Sequence, residues 1–257
     1  MSVVRLVALG TVLHVKQLSR SQFEIATALF VPLVQATLAV HLFRAGTEPH
    51  RLLEAAVGAG MMEVWSSVLF GSGGAIQAQR WQGTLEMLML APRPPALLIF
   101  PITLATAVTG CYAMVATLLW GWLVYRVPLD IASPVAFAVS VPAAILGLGM
   151  FGLLLASTFV LLPNANAVNN TLEYPIWLVS GMLVPITVLP GWTGPLGAML
   201  PTTWAARAVR ESVTGAGPVW PSLGICLAIS AACLVAGGFV MSYVERRARA
   251  TATLALA

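Results

Sequence analysis

Five long stretches of this chain contain no Asp, Glu, Lys or Arg: 25–43, 94–125, 131–172, 174–206 and 212–244. A sixth, 55–79, is broken only by Glu63. A helix that crosses the hydrocarbon core of a bilayer needs about 20 predominantly apolar residues, so these gaps set the scale of the fold. The third gap exceeds one crossing. It is divided by the run from Pro163 through Asn164, Asn166, Asn169 and Asn170, which must emerge into water or line a protein-buried turn. Six spanning helices follow, near 23–43, 56–79, 97–124, 136–162, 172–189 and 220–244.

Composition closes the alternatives. With 59% of positions hydrophobic and 9% charged, against roughly 25% charged in a soluble domain, too few polar side chains exist to cover a water-soluble globule. Disorder is excluded by the same figures, and a disulfide scaffold by having only Cys111, Cys226 and Cys233. The expected fold is an all-α integral membrane protein, a single transmembrane domain over residues 1–257.

An even number of crossings puts both termini on one side. With that side cytoplasmic, the inner basic residues are Arg5, Lys16, Arg20, Arg80, Arg93, Arg246, Arg247 and Arg249, and the outer ones Arg44, Arg51, Arg126, Arg207 and Arg210. The excess inside favours cytoplasmic termini. Lys16 is the single lysine among 13 basic residues, a usage that suggests a GC-rich genome and a bacterial plasma membrane.

Residues 1–22 lack a small-x-small cleavage site, and Lys16 and Arg20 follow their apolar run, so they do not read as a signal peptide. Arg5, Lys16 and Arg20 fall near one another on a helical wheel, which predicts an interfacial helix. The alternative is a first helix that extends into the cytoplasm. Between the fifth and sixth helices, Pro185, Pro190, Gly191, Gly194, Pro195, Gly197 and Pro201 break any continuous helix in an apolar segment. Residues 190–218 are therefore expected to form extracellular re-entrant half-helices packed against protein, with Trp192 and Trp204 at the interface. A short helix over 204–213 would carry Arg207, Arg210 and Glu211 on its polar side. An ordinary extracellular loop is the competing reading.

The net charge of +4 is too dispersed to track phosphates, so no nucleic-acid partner is expected. Lys16 lies between Val15 and Gln17, outside any Gly-Lys-Ser/Thr ending, so no P-loop is present. No His-Glu-x-x-His, Gly-x-Ser-x-Gly or Cys-x-x-Cys occurs. No catalytic residue and no metal site are expected. Glu63 is the one carboxylate predicted well inside a span, and such groups are functional candidates by default. It is assigned to a substrate pathway, against the alternatives of contact with interfacial water or with neighbouring hydrogen-bond donors.

The segment 80–95 joins helices two and three. Gly83 permits a sharp exit from the membrane helix, Thr84 can cap a new helix and Glu86 favours its positive end. Leu85, Met87, Leu88, Met89 and Leu90 form an apolar knob suited to a partner's groove, and Pro92, Pro94 and Pro95 end it. A membrane-surface helix without a partner is the bland alternative.

These residues carry a resemblance. The pattern Arg80-x-x-Gly83-Thr84-Leu85-Glu86-x-Leu88-x-x-x-Pro92 resembles the cytoplasmic coupling segment of type-2 ATP-binding-cassette (ABC) exporter permeases. Downstream, Ser180-Gly181, Pro185, Leu189-Pro190, Trp192, Pro201-Thr202 and Arg210 resemble the signature around that family's fifth helix and re-entrant hairpin, in its drug/antibiotic or lipo-oligosaccharide export branch. The resemblance covers nearly the whole chain. The chain departs from it where Gln79 and Trp81 stand in place of acidic residues that often precede the Gly-Thr pair.

The resemblance implies a transport subunit that is not itself an enzyme. It would act as a dimer with a second copy or a paralogue, coupled to a separate ATPase subunit that binds ATP and Mg, and would export an amphipathic compound through a lipid membrane. It binds no cofactor itself on this reading. A membrane-embedded lipid-modifying enzyme would need clustered polar residues at one depth, and an ion-coupled carrier several ionisable groups within the membrane.

Overall fold

The computed structural model describes residues 3–20, 22–44, 49–83, 94–160, 165–182, 184 and 186–251. Its helices are α1 (Val3–Leu18), α2 (Gln22–Arg44), α3 (Pro49–Trp81), α4 (Pro95–Tyr125), α5 (Pro134–Phe159), α6 (Ala165–Val179), α7 (Thr193–Ala198), α8 (Pro201–Thr214) and α9 (Val219–Thr251), with a 3-10 turn at Ile186–Val188. No strand occurs among the described residues. Pro95, Pro134 and Pro201 open α4, α5 and α8, where a fixed φ suits the first turn and the missing N–H would have had no partner.

Among the described residues four helices are long and apolar enough to cross a membrane: Leu52–Trp81, Pro95–Tyr125, Pro134–Phe159 and Val219–Arg246. They correspond to the second, third, fourth and sixth expected spans. The first, 23–43, coincides with α2, whose apolar part among the described residues is Phe30–Phe43. The fifth is displaced. Expected at 172–189, it instead begins at Ala165 and ends at Val179, and its 15 residues reach only about 22 Å at 1.5 Å per residue. Of the polar Asn run, Asn169 is buried within the protein while Asn170 is exposed, and Gly181 ends the helix by turning left-handed at φ 67°.

α3 is the axis of the bundle, packed against α2, α4, α5, α6 and α8. In its most apolar window 78% of residues are buried, against 22% in α9, so the more apolar α9 is the one left to face outward. Among apolar neighbours, lipid gives helices no hydrophobic drive to associate, and close backbone approach and packing take its place. The contacts show this. A Cβ on Gly110 of α4 would come 2.8 Å from Val64 Cα, and one on Gly152 of α5 would come 2.9 Å from Val68 Cγ1. Trp65 is fully buried and stacks on Phe151 with ring centroids 5.6 Å apart.

The two ends of the bundle differ. Ile76, Ile99, Val160, Met241 and Val244 cluster where α3 and α5 finish, α4 begins and α9 nears its end, and α1 packs there on the start of α4, with Gly10 against Pro101. At the opposite end, α8 lies against α3 and α9, with α7 packed on α8: Ala132 and Ser133, before α5, donate backbone bonds to Val213 and Ser212 (2.9 and 3.1 Å), and Ser222 reaches Glu211.

Close packing at α3 predicts opposite outcomes for two glycines. Gly110→Ala must displace backbone and should destabilise the protein by about 1–3 kcal/mol, the usual penalty of overpacking. Gly74 has open space around its missing Cβ, so Gly74→Ala should be neutral or stabilising by up to about 1 kcal/mol through helix propensity. Unfolding midpoints in detergent check both.

Candidate functional site

The middle of α3 meets α6 along a polar seam. Glu63 is 4% exposed and Glu173, on α6, 8%. Ser66, one turn after Glu63, donates to Glu173 Oε1 at 2.8 Å. One turn before Glu173, Asn169 is wholly buried against Gly73, whose lack of a side chain makes the room. Among the described residues, Glu63 Oε1, Ser72 Oγ, Trp65 Nε1, Trp177 Nε1 and both amide atoms of Asn169 have no hydrogen-bond partner.

Glu63 is therefore largely enclosed by protein. The sequence reading also missed a residue, because it found no acid within the membrane besides Glu63. Glu173 is a second buried acid, beside the same part of α3. It was overlooked because it separates two charge-free stretches and follows an Asn-rich run, as a loop residue would. Helical register held the signal: Asn169, Glu173 and Trp177 recur at four-residue spacing on one face.

The signature residues near the other end converge on one turn. Ser180 Oγ pairs with Thr202 Oγ1 at 2.5 Å. Gly181 takes the left-handed conformation, and Arg210 Nη2 donates to the carbonyls of Gly181 and Met182, 2.9 Å each. Arg210 also lies 3.9 Å from Glu54 on the first turns of α3. The carbonyl of Pro201 accepts from Cys226 Sγ at 3.5 Å, and that of Pro190 from Thr193 Oγ1 at 2.8 Å.

Trp192 stands apart, 62% exposed. Trp204 donates to the Ala198 carbonyl at 2.9 Å and lies under the Arg207 guanidinium. The polar side of α8 is turned largely inward: Glu211 accepts from Arg207 at 2.8 Å and from Ser222 at 2.7 Å. Carbonyls freed where the helices break need donors inside the protein, and these side chains supply them. Pro185 falls outside the described residues.

At the opposite end of α3, Gly83 has φ 68°, and its N–H returns to the Arg80 carbonyl at 3.1 Å. This is the sharp exit expected of a glycine there. Arg80 Nη2 donates to the Val160 carbonyl at 2.9 Å, tying the end of α3 to that of α5. The remaining coupling residues, Thr84, Leu85, Glu86, Leu88 and Pro92, lie outside the described residues, as does the surface helix expected there.

Residues 9–213 match the family described as ABC-2 type transporter. The chain belongs to this family. The match runs from α1 to the end of α8 and so includes the seam, the Gly83 exit and the Arg210 turn. An ABC-2 chain is the permease of its transporter, a multi-pass membrane protein, and the family normally works with an ATPase subunit. That role differs from both alternatives, a lipid-modifying enzyme and an ion-coupled carrier. A search of curated proteins finds no match to the chain.

Arg210 holds the break after α6 of this ABC-2 chain through two carbonyls. Arg210→Met keeps much of the side-chain volume and leaves Gly181 and Met182 without their donor. It should destabilise the fold by about 2–4 kcal/mol, the range for unsatisfied buried groups and a broken partly buried ion pair. Arg210→Lys should recover only part of this, because an ammonium does not reproduce the planar guanidinium fork. Thermal unfolding of both variants beside wild type gives the comparison.

Proposed function

We propose that this ABC-2 permease exports an amphipathic drug, antibiotic or lipid-linked compound, driven by ATP and Mg held on a separate ATPase subunit. It crosses a bacterial plasma membrane six times, with both termini cytoplasmic, and works as a dimer with a second copy or a paralogue. Residues 1–22 lie at the membrane surface, 80–95 dock on the ATPase and 190–218 dip into the outer leaflet.

One observation carries this reading. α3 runs unbroken from Glu54 beside Arg210, through Glu63 at the seam, to the exit at Gly83. With no P-loop in the chain, energy must enter from outside through a protruding element, and the segment after Gly83 is the place for it. Movement of that segment would be delivered along one helix to a buried carboxyl and onward to the Arg210 turn. Arg80, bound to the end of α5, would bring a second helix into the same motion.

The lever is tested at Glu86. Glu86→Arg should abolish ATP-dependent transport into inside-out membrane vesicles and weaken ATPase binding, while membrane expression stays at the wild-type level. Unchanged transport would remove 80–95 from the coupling role. Glu63→Gln should shift substrate preference or rate without loss of ATPase binding, and an unaltered profile across a panel of amphipathic dyes would take Glu63 out of the pathway.

A further inference from the structure

The α3–α6 seam holds two carboxyls, and among the described residues no basic side chain pairs with either. Glu63 and Glu173 stand on opposite helices, both buried, and Ser66, one turn after Glu63, is hydrogen-bonded to Glu173. Arg207 pairs with Glu211 and Arg210 with Glu54, and neither pair involves these two. Ser66 gives its proton to Glu173, and Glu63 Oε1 has no donor among the described residues. Asn169, 0% exposed and directed at Gly73 across the seam, leaves Oδ1 and Nδ2 both unpartnered there.

The two carboxyls thus lie in a buried setting where unpaired carboxylates are strongly disfavoured. A positive group placed between the carboxyls would relieve both. No cluster of three or more metal-ligating side chains occurs among the described residues, which argues for an organic cation over a metal ion. Trp177, one turn after Glu173 on α6, adds an aromatic ring suited to a large, weakly hydrated cation.

α6 is also placed to admit a ligand. It packs on α3 and α7, while Tyr174 and Leu178 on its far face are exposed. Pro175 removes one of its internal hydrogen bonds.

We propose that the α3–α6 seam binds the cationic end of an amphipathic substrate, with the carboxylates of Glu63 and Glu173 on either side and Asn169 Oδ1 as a third acceptor. This rests on the permease reading and narrows its substrate class to amphipathic cations.

Tetraphenylphosphonium and tetraphenylborate have nearly the same size and shape and opposite charge, so they isolate the electrostatic part. Binding of each is measured to the full-length chain in phosphatidylcholine nanodiscs at neutral pH, with empty nanodiscs subtracted. Wild type should bind the phosphonium saturably and in preference to the borate. Glu63→Gln and Glu173→Gln should each weaken phosphonium binding about tenfold or more, as expected for a lost charge-assisted contact. Glu63→Asp, which keeps the charge, should retain the preference for phosphonium. Asp130→Asn, on the exposed connection between α4 and α5, should bind like wild type.

No saturable phosphonium binding by wild type, equal binding of the two ions, or full affinity in both glutamine variants would overturn the proposal. ATPase co-purification is read on the same preparations. A bound ATPase without charge discrimination sinks the cationic seam alone, whereas charge discrimination without any ATPase upholds the seam and sinks the permease reading.

Discussion

A helix enclosed by other helices inside a membrane is the constraint on which this structure depends. α3 is covered by α2, α4, α5, α6 and α8, and in lipid such enclosure must come from surfaces that fit closely. Small residues meet that need, with Gly110 against Val64, Gly152 against Val68 and Gly71 against Thr106. The enclosure has a chemical consequence. Glu63, Ser66 and Ser72 can stand on a membrane helix because protein surrounds them, and the same side chains facing hydrocarbon would be strongly disfavoured.

Both ends of that helix are then specialised. Toward Gly83 the chain leaves abruptly, and Arg80 binds the last carbonyl of α5. Toward Glu54 it meets a region where the backbone is broken repeatedly. Broken backbone in a membrane protein survives only if its carbonyls find donors, and Arg210, Thr193, Trp204 and Cys226 provide them. Arg210 joins the two themes, since it closes the end of α6 and lies beside the first turns of α3.

Much of this was legible because long charge gaps translate directly into helices. The expected spans 97–124 and 220–244 fall within α4 and α9, and 136–162 nearly coincides with α5. Gly83 was legible for a local reason, since a glycine after a long apolar helix is the residue that can turn left-handed. The coupling and hairpin motifs also carried a resemblance, whose family the match over residues 9–213 supports.

α6 was not legible in the same way. Asn-rich segments read as turns when only their composition is considered, and nothing local reveals that Asn169 and Glu173 face a glycine and a serine on another helix. Arg210 was placed correctly on α8 and recognised as part of the signature, yet its partners, two carbonyls almost thirty residues away in sequence, are a tertiary fact. Long-range partners of this kind are set by tertiary packing, and periodicity does not encode them.

The central claim is that this chain is the membrane half of a machine powered from outside itself. The most direct measurement is gentle purification of the tagged protein from its native membranes, with its companions identified by mass spectrometry. The account predicts a stoichiometric ATPase of the ABC class together with a second permease, identical or paralogous. A chain that leaves the membrane intact under several detergents and carries no ATPase would contradict it.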